Sequence, residues 1–175
     1  MDLMVDLETF DTASTAAIIS IGAVVFDPET NHIEERTYHA NVEWESALSY
    51  GTFSESTIDF WSNQSEDAVS ALFSPEQIGL KEALEGFDKY VKSWKNKPKR
   101  IWANSPAFDV AILRHAFSKF DMKFPYVFWK EMDVRTIKNL LPKEVLPERE
   151  GVLHNAVDDC KHQCKIVQII HGVEF

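Results

Sequence analysis

The first nine residues constrain this chain more than any other stretch. Leu3-Met4-Val5-Asp6-Leu7-Glu8-Thr9 alternates, so a strand here puts Leu3, Val5 and Leu7 on one face and Asp6 and Glu8 on the other. The two carboxylates then stand about 7 Å apart at Cα. Side by side on an otherwise apolar strand they repel, and a bound cation would relieve them. Two readings are open: an edge strand with a solvated acidic face, or a central strand whose carboxylates meet a metal.

The remaining pattern sets the frame. Residues 18–26 form a second β-type run with Gly22 inside it, and residues 35–42 a third, completing an antiparallel meander. A polar stretch follows, and residues 57–73 suggest one or two short helices. Leu80, Leu84, Phe87, Val91 and Trp94 recur at helical spacing. Arg100 to Asn104 reads as a short strand leading through Ser105-Pro106 into a helix over 107–120. Residues 132–135 suggest another strand. Residues 156–171 read as a final helix with Val157, Cys160, Cys164 and Val167 on one face. Three early strands, then strands alternating with helices, predict an α/β three-layer fold, taken as one domain over 1–175.

Composition enters at three points. The 175 residues, 45% of them hydrophobic and twelve of them Phe, suffice for one core. No apolar run approaches the roughly 20 residues of a membrane span, so no membrane association is expected and the chain reads as cytoplasmic, in a bacterium or a phage-infected host. The two cysteines, four apart, read as buried free thiols rather than a disulfide or zinc site. A net charge of −10 argues against a large basic nucleic-acid face, although cations bound at a carboxylate cluster would offset part of it.

Two further acidic positions join the first pair. Asp109 lies on the stripe of Leu113, Ala116 and Phe120, one turn earlier, where an apolar residue is expected. Either the helix dipole favours it there or it faces a metal. Near the C-terminus, Asn155 is a good N-cap, Asp158 stands at the third helical position as a capping partner, and Asp159 is left needing another explanation. His154, just before the helix, has the ordinary pKa of a base that works near neutrality. Hydrolysis of phosphodiesters by two metals needs such carboxylates around ions about 3.5–4 Å apart, and a group to take a proton from water.

On these residues the chain resembles the DEDDh exonuclease superfamily, the ribonuclease H-like 3′–5′ exonucleases. The matching pieces are Asp6-Leu7-Glu8-Thr9, Asn104 through Phe108-Asp109, and His154-x-Ala156-x-x-Asp159. Thr57-x-x-Phe60-Trp61-x-x-Gln64 looks like a phage and bacterial subgroup with exodeoxyribonuclease VIII-like proteins, phage exonuclease A and a mycobacterial exoribonuclease. The resemblance implies a mixed five-stranded sheet flanked by helices. It also implies two Mg²⁺ ions, replaceable by Mn²⁺, held by Asp6, Glu8, Asp109 and Asp159, with His154 as general base. The products would be nucleoside 5′-monophosphates from single-stranded or 3′-overhanging ends, with DNA slightly favoured over RNA. The motif implies substrate contacts at Thr9, Asn104 and Phe108. Phe10 stands where the family usually has a small residue close by, and Phe10 and Trp61 each divide between a shelf for bases and ordinary core. A homodimer is expected from relatives.

The run Lys92, Lys95, Lys97, Lys99 and Arg100 reads either as a phosphate-tracking patch or as a solvated helix end, and the second is preferred. Arg114 and Arg135 have no assigned place. A phosphatase built on Asp6-x-Glu8-Thr9 would leave the His154–Asp159 element without a role. A catalytically silent nucleic-acid-binding module on the same fold is the rival from another class, and the loss of one acidic ligand would favour it.

Overall fold

The computed structural model describes residues 1–72 and 76–174. Among them are six strands and seven α-helices. The strands are β1 (Asp2–Thr9), β2 (Ile18–Phe26), β3 (Tyr38–Val42), β4 (Gln77–Ile78), β5 (Ile101–Ala103) and β6 (Glu131–Asp133). The helices are α1 (Trp44–Tyr50), α2 (Glu55–Ser62), α3 (Glu66–Leu72), α4 (Leu80–Lys92), α5 (Asp109–Ser118), α6 (Val134–Leu140) and α7 (Ala156–Ile169). None of these helices is long and apolar enough to cross a membrane.

The sheet is ordered β4-β3-β2-β1-β5-β6, with β1–β2 and β2–β3 antiparallel and β3–β4, β1–β5 and β5–β6 parallel. The early meander is as expected, and the mixed sheet has six strands rather than five. The extra one, β4, pairs Asn41 with Gln77 and Val42 with Ile78. Two residues carry no alternation to read, which is why the pattern misses it. Because β1 lies between β2 and β5, the edge-strand reading of its acidic face is wrong.

Each face of the sheet has its own core. Leu3, Val5, Leu7, Ile19, Ile21 and Ala23 pack with Leu84, Phe87, Leu113 and Phe117 from α4 and α5. On the opposite face Met4, Val24, Phe26 and Trp102 pack with Val134 of α6 and Cys160, Cys164 and Val167 of α7. Asp6 and Glu8 share this second face. Both cysteines are buried and free, as read from the sequence.

Several boundaries differ from the sequence reading, among them the helix expected over 107–120, which runs from Asp109 to Ser118. β3 starts at Tyr38 rather than at residue 35. The polar stretch before residue 57 contains α1, which buries only Ala47 and so shows no apolar stripe. The strand expected over 132–135 ends at Asp133, whose side chain accepts from the Arg135 amide at 2.9 Å and opens α6. The segment 57–73 resolves into most of α2 and α3, and its last residue, Phe73, lies outside the described residues.

Gly22 sets how closely α7 approaches. It pairs with Asp6 across the β1–β2 ladder. A Cβ on it would fall 2.4 Å from the carbonyl carbon of Ala156, the first residue of α7. The bare backbone lets the helix start rest on the sheet beside Asp6.

Candidate active site

A cleft of about 440 Å³ opens where β1, β5, α5 and α7 meet. Asp6, Glu8, Asp109, His154 and Asp159 all line it, together with Asn104 and Phe108. Asp6 and Glu8 reach it from the end of the central strand. Asp159 reaches it from the first turn of α7, whose start is capped by Asn155 through the amides of Val157 and Asp158 at 3.1 and 3.2 Å.

Asp109 arrives by another route. The Leu3 amide donates to the Arg100 carbonyl at 2.9 Å, as the parallel β1–β5 ladder requires. β5 ends at Ala103, so the Leu7 amide, further along the same edge, has no strand to meet. It donates instead to Asp109 Oδ1 at 3.2 Å. The Ser105 amide reaches Asp109 Oδ2 at 3.5 Å. The carboxylate that opens α5 thus also closes the ladder beyond β5.

His154 is held in the left-handed region, at φ 62°, within a turn closed by the Asn155 amide on the Val152 carbonyl at 3.2 Å. That conformation costs a non-glycine residue on the order of 1 kcal/mol. The ring stands edge-on to Phe60 and Trp61, with centroids 5.2 and 5.7 Å away. Burial, then the positive charge of Arg149, holds its pKa below the ordinary 6.5. Asp158 does not return to the Asn155 amide as a capping box would; it accepts from the Val152 amide at 2.9 Å and so fixes the same turn.

The carboxylates are crowded and buried. Burial, then the charge of Asp109, raises Asp6 well above its ordinary value. Burial, then the charges of Asp6 and Asp109, does the same to Glu8. Asp109 is pushed up to about 7 by burial, against the pull of the Ser105 and Leu7 amides. One donor atom from each of Glu8, His154 and Asp159 lies within 4.8 Å of the others. Such an oxygen-rich set with one imidazole fits a hard divalent cation.

Several cleft residues escape sequence reasoning. Gln163, one turn after Asp159 on α7, donates to Asp6 Oδ1 at 2.7 Å. Its spacing of four from Asp159 was the available signal. Arg149 forms an ion pair with Asp159. Arg135, which the sequence leaves unplaced, lines the cleft with Lys138.

Three expected substrate residues do not line this cleft. The Thr9 hydroxyl donates to the Asp11 carbonyl at 2.7 Å. Phe10 is buried edge-on to Trp44 at 5.3 Å. Trp61 is buried, and its Nε1 donates to the Thr9 carbonyl at 2.9 Å, tying α2 to the end of β1. Phe10 and Trp61 border a separate apolar pocket with Trp44, Leu48 and Phe53. Of the basic run, Lys92 pairs with Asp88 at 2.5 Å and Arg100 with Asp2 at 2.7 Å, while Lys97 donates to the Pro125 carbonyl. Arg114 pairs with Glu131.

The same fold occurs in known nucleases. The nuclease domain of 3′hExo, described as a DEDDh family member bound to rAMP, superposes with a TM-score of 0.66 at 14% identity, covering 96% of this chain and 90% of that one. The cell-death related nuclease CRN-4 gives a TM-score of 0.65 at 18% identity over 96% of this chain, which spans only 62% of that protein's length. A 3′-exonuclease described as recognising the 3′ end of the histone mRNA stem-loop gives 0.63 at 15% identity, over 96% of this chain and 80% of that one. Mixed sheet, acidic cleft and the family match together define a 3′–5′ exonuclease. The chain belongs to the family described as the 3′-5′ exoribonuclease Rv2179c-like domain, which it matches over residues 1–171. It is also 25% identical to an exodeoxyribonuclease of Enterobacteria phage T4, over 91% of this chain and 84% of that protein.

Proposed function

We propose that the chain removes nucleotides from the 3′ ends of single-stranded or overhanging nucleic acid, with Asp6, Glu8, Asp109 and Asp159 holding two Mg²⁺ ions and His154 as general base. The observation that carries this reading is the convergence of four acidic side chains, three of them with raised pKa values, on one cleft beside a histidine. Bound divalent cations supply charge neutralisation and Lewis-acid activation at the scissile phosphate, and Mn²⁺ can replace Mg²⁺.

The protein's own groups do the rest. His154, with its pKa below 6.5, is neutral at neutral pH and takes the proton of the attacking water at a ring nitrogen. Phe60 and Trp61 hold its ring at the cleft edge. Gln163 keeps Asp6 oriented by donating to one oxygen. Phe108 offers the terminal base an apolar face, and Asn104 offers hydrogen-bonding groups. Arg135 and Lys138 supply positive charge for the strand's phosphates. A cleft of about 440 Å³ suits one strand end rather than a duplex.

The relatives divide on the sugar: the family is described by exoribonuclease activity, and the phage relative is an exodeoxyribonuclease. The substrate is accordingly a single strand of either sugar, in place of the slight tilt toward DNA. Matched 5′-labelled DNA and RNA oligonucleotides with Mn²⁺ test it. A ladder that shortens from the 3′ end is expected on at least one of them. Internal cuts, or shortening from the 5′ end, would overturn the proposal.

A further inference from the structure

Arg149 lies outside every motif that points to the active site, yet its guanidinium pairs with Asp159 inside the cleft. The loop that carries it is fastened to α7 on its C-terminal side. Glu150 pairs with Lys165 at 2.8 Å, and the Val152 amide donates to Asp158 at 2.9 Å. Gly151, at φ 80°, makes the bend between those two anchors. The Arg149 side chain retains 32% of its exposure, against 12% for Asp159, so it reaches in from the rim.

Its surroundings explain why it is there. Asp6, Glu8, Asp109 and Asp159 are all buried in one small volume. Without a cation they repel, and Arg149 supplies a charge that cannot be titrated away. Its field lowers the pKa of both Asp6 and Glu8. The oxygen it pairs with belongs to Asp159, which also lies in the Glu8–His154–Asp159 group. A guanidinium and a divalent cation repel each other and compete for that carboxylate.

We propose that Arg149 is the resident counter-ion of the metal-free cluster, pairing with Asp159 until a divalent cation displaces it. It is a positioning residue: it keeps the carboxylates gathered whenever no cation is bound and sets the concentration at which metal enters. The inference rests on the reading of Asp159 as a metal ligand. Linkage makes its two effects equal, because whatever Arg149 contributes to the metal-free fold is subtracted from apparent metal affinity.

The test measures Mn²⁺ binding by the electron-spin resonance of free Mn²⁺, and thermal melting in EDTA and at saturating Mn²⁺. Wild type, Arg149→Ala and Lys138→Ala are compared. Lys138 lines the same cleft, with no ion pair to Asp159 among the described residues. Arg149→Ala is expected to bind Mn²⁺ about three- to fivefold more tightly, the worth of one partly exposed ion pair. It should melt below wild type in EDTA and with wild type at saturating Mn²⁺, while Lys138→Ala gains less than about twofold. Unchanged or weaker binding in Arg149→Ala would overturn the proposal. So would an equal gain in Lys138→Ala, or an equal melting loss with and without metal. A folded wild type that binds no Mn²⁺ would instead remove the metal-site reading, and this inference with it.

Discussion

Ala156 rests on Gly22: its carbonyl carbon lies 2.4 Å from where a Gly22 side chain would begin. Gly22 is in turn the ladder partner of Asp6. One backbone contact therefore ties the start of α7, and with it Asp159, to the strand that carries Asp6 and Glu8. Gly22→Ala should push α7 outward, because backbone atoms cannot yield as a flexible side chain can. The expected cost is about 2 kcal/mol or more, a fall in Tm of roughly 4–8 °C. Hydrolysis should weaken although Gly22 does not line the cleft. An unchanged Tm would mean the helix accommodates the methyl group.

Asp6→Asn should stabilise the metal-free protein while removing its activity. The asparagine oxygen can still accept from Gln163, and one of the mutually repelling buried charges disappears. Melting in EDTA should show a gain on the order of 1 kcal/mol. Hydrolysis should drop by a factor on the order of 10³. A lower Tm would show that Asp6 serves the fold rather than the site.

His154→Asn separates base from backbone. Asparagine tolerates the left-handed conformation that His154 occupies at φ 62°, so stability should stay within about 1 kcal/mol of wild type. The turnover rate should fall by about 10²–10⁴. Retained turnover would exclude His154 as the base.

Asp158 and Asp159 are neighbours with different tasks. Asp159→Asn should abolish hydrolysis and leave the fold intact. Asp158→Asn weakens only the bond to the Val152 amide and should keep most activity. Equal losses in a steady-state assay would contradict this division.

Metal-free stability should carry a pH signature. An unfolded aspartate titrates near 3.8, whereas Asp109 in the fold holds its proton up to about 7, and Asp6 and Glu8 are raised as well. The folded state binds more protons across that window, so the contribution of these groups is present at low pH and lost as pH rises through about 7. The rise in Tm produced by Mg²⁺ should therefore grow from about pH 5 to about pH 8. A constant increment would mean the cluster does not bind the ion.

Much of this was legible in the sequence because strand alternation and helix spacing are local. Asp6 and Glu8 announce a shared face, and Asn155 announces the start of α7. What escaped depends on contacts between distant segments. β4 is defined only by its pairing with Asn41 and Val42. Arg149 belongs to the site only because its loop is fastened to α7, and Gln163 only because α7 lies over β1. Phe10 could be a base shelf or core on sequence grounds, and the packing of Trp44 against it places it outside the acidic cleft.

The most direct test of the central claim is metal dependence at a defined end. A 5′-labelled single strand would be followed over time with wild type in Mn²⁺, with wild type after thorough chelation, and with Asp6→Ala in Mn²⁺. A ladder receding from the 3′ end in the first reaction, absent from the other two, is the predicted result. Undiminished shortening after chelation, or in Asp6→Ala, would contradict a carboxylate-held metal mechanism.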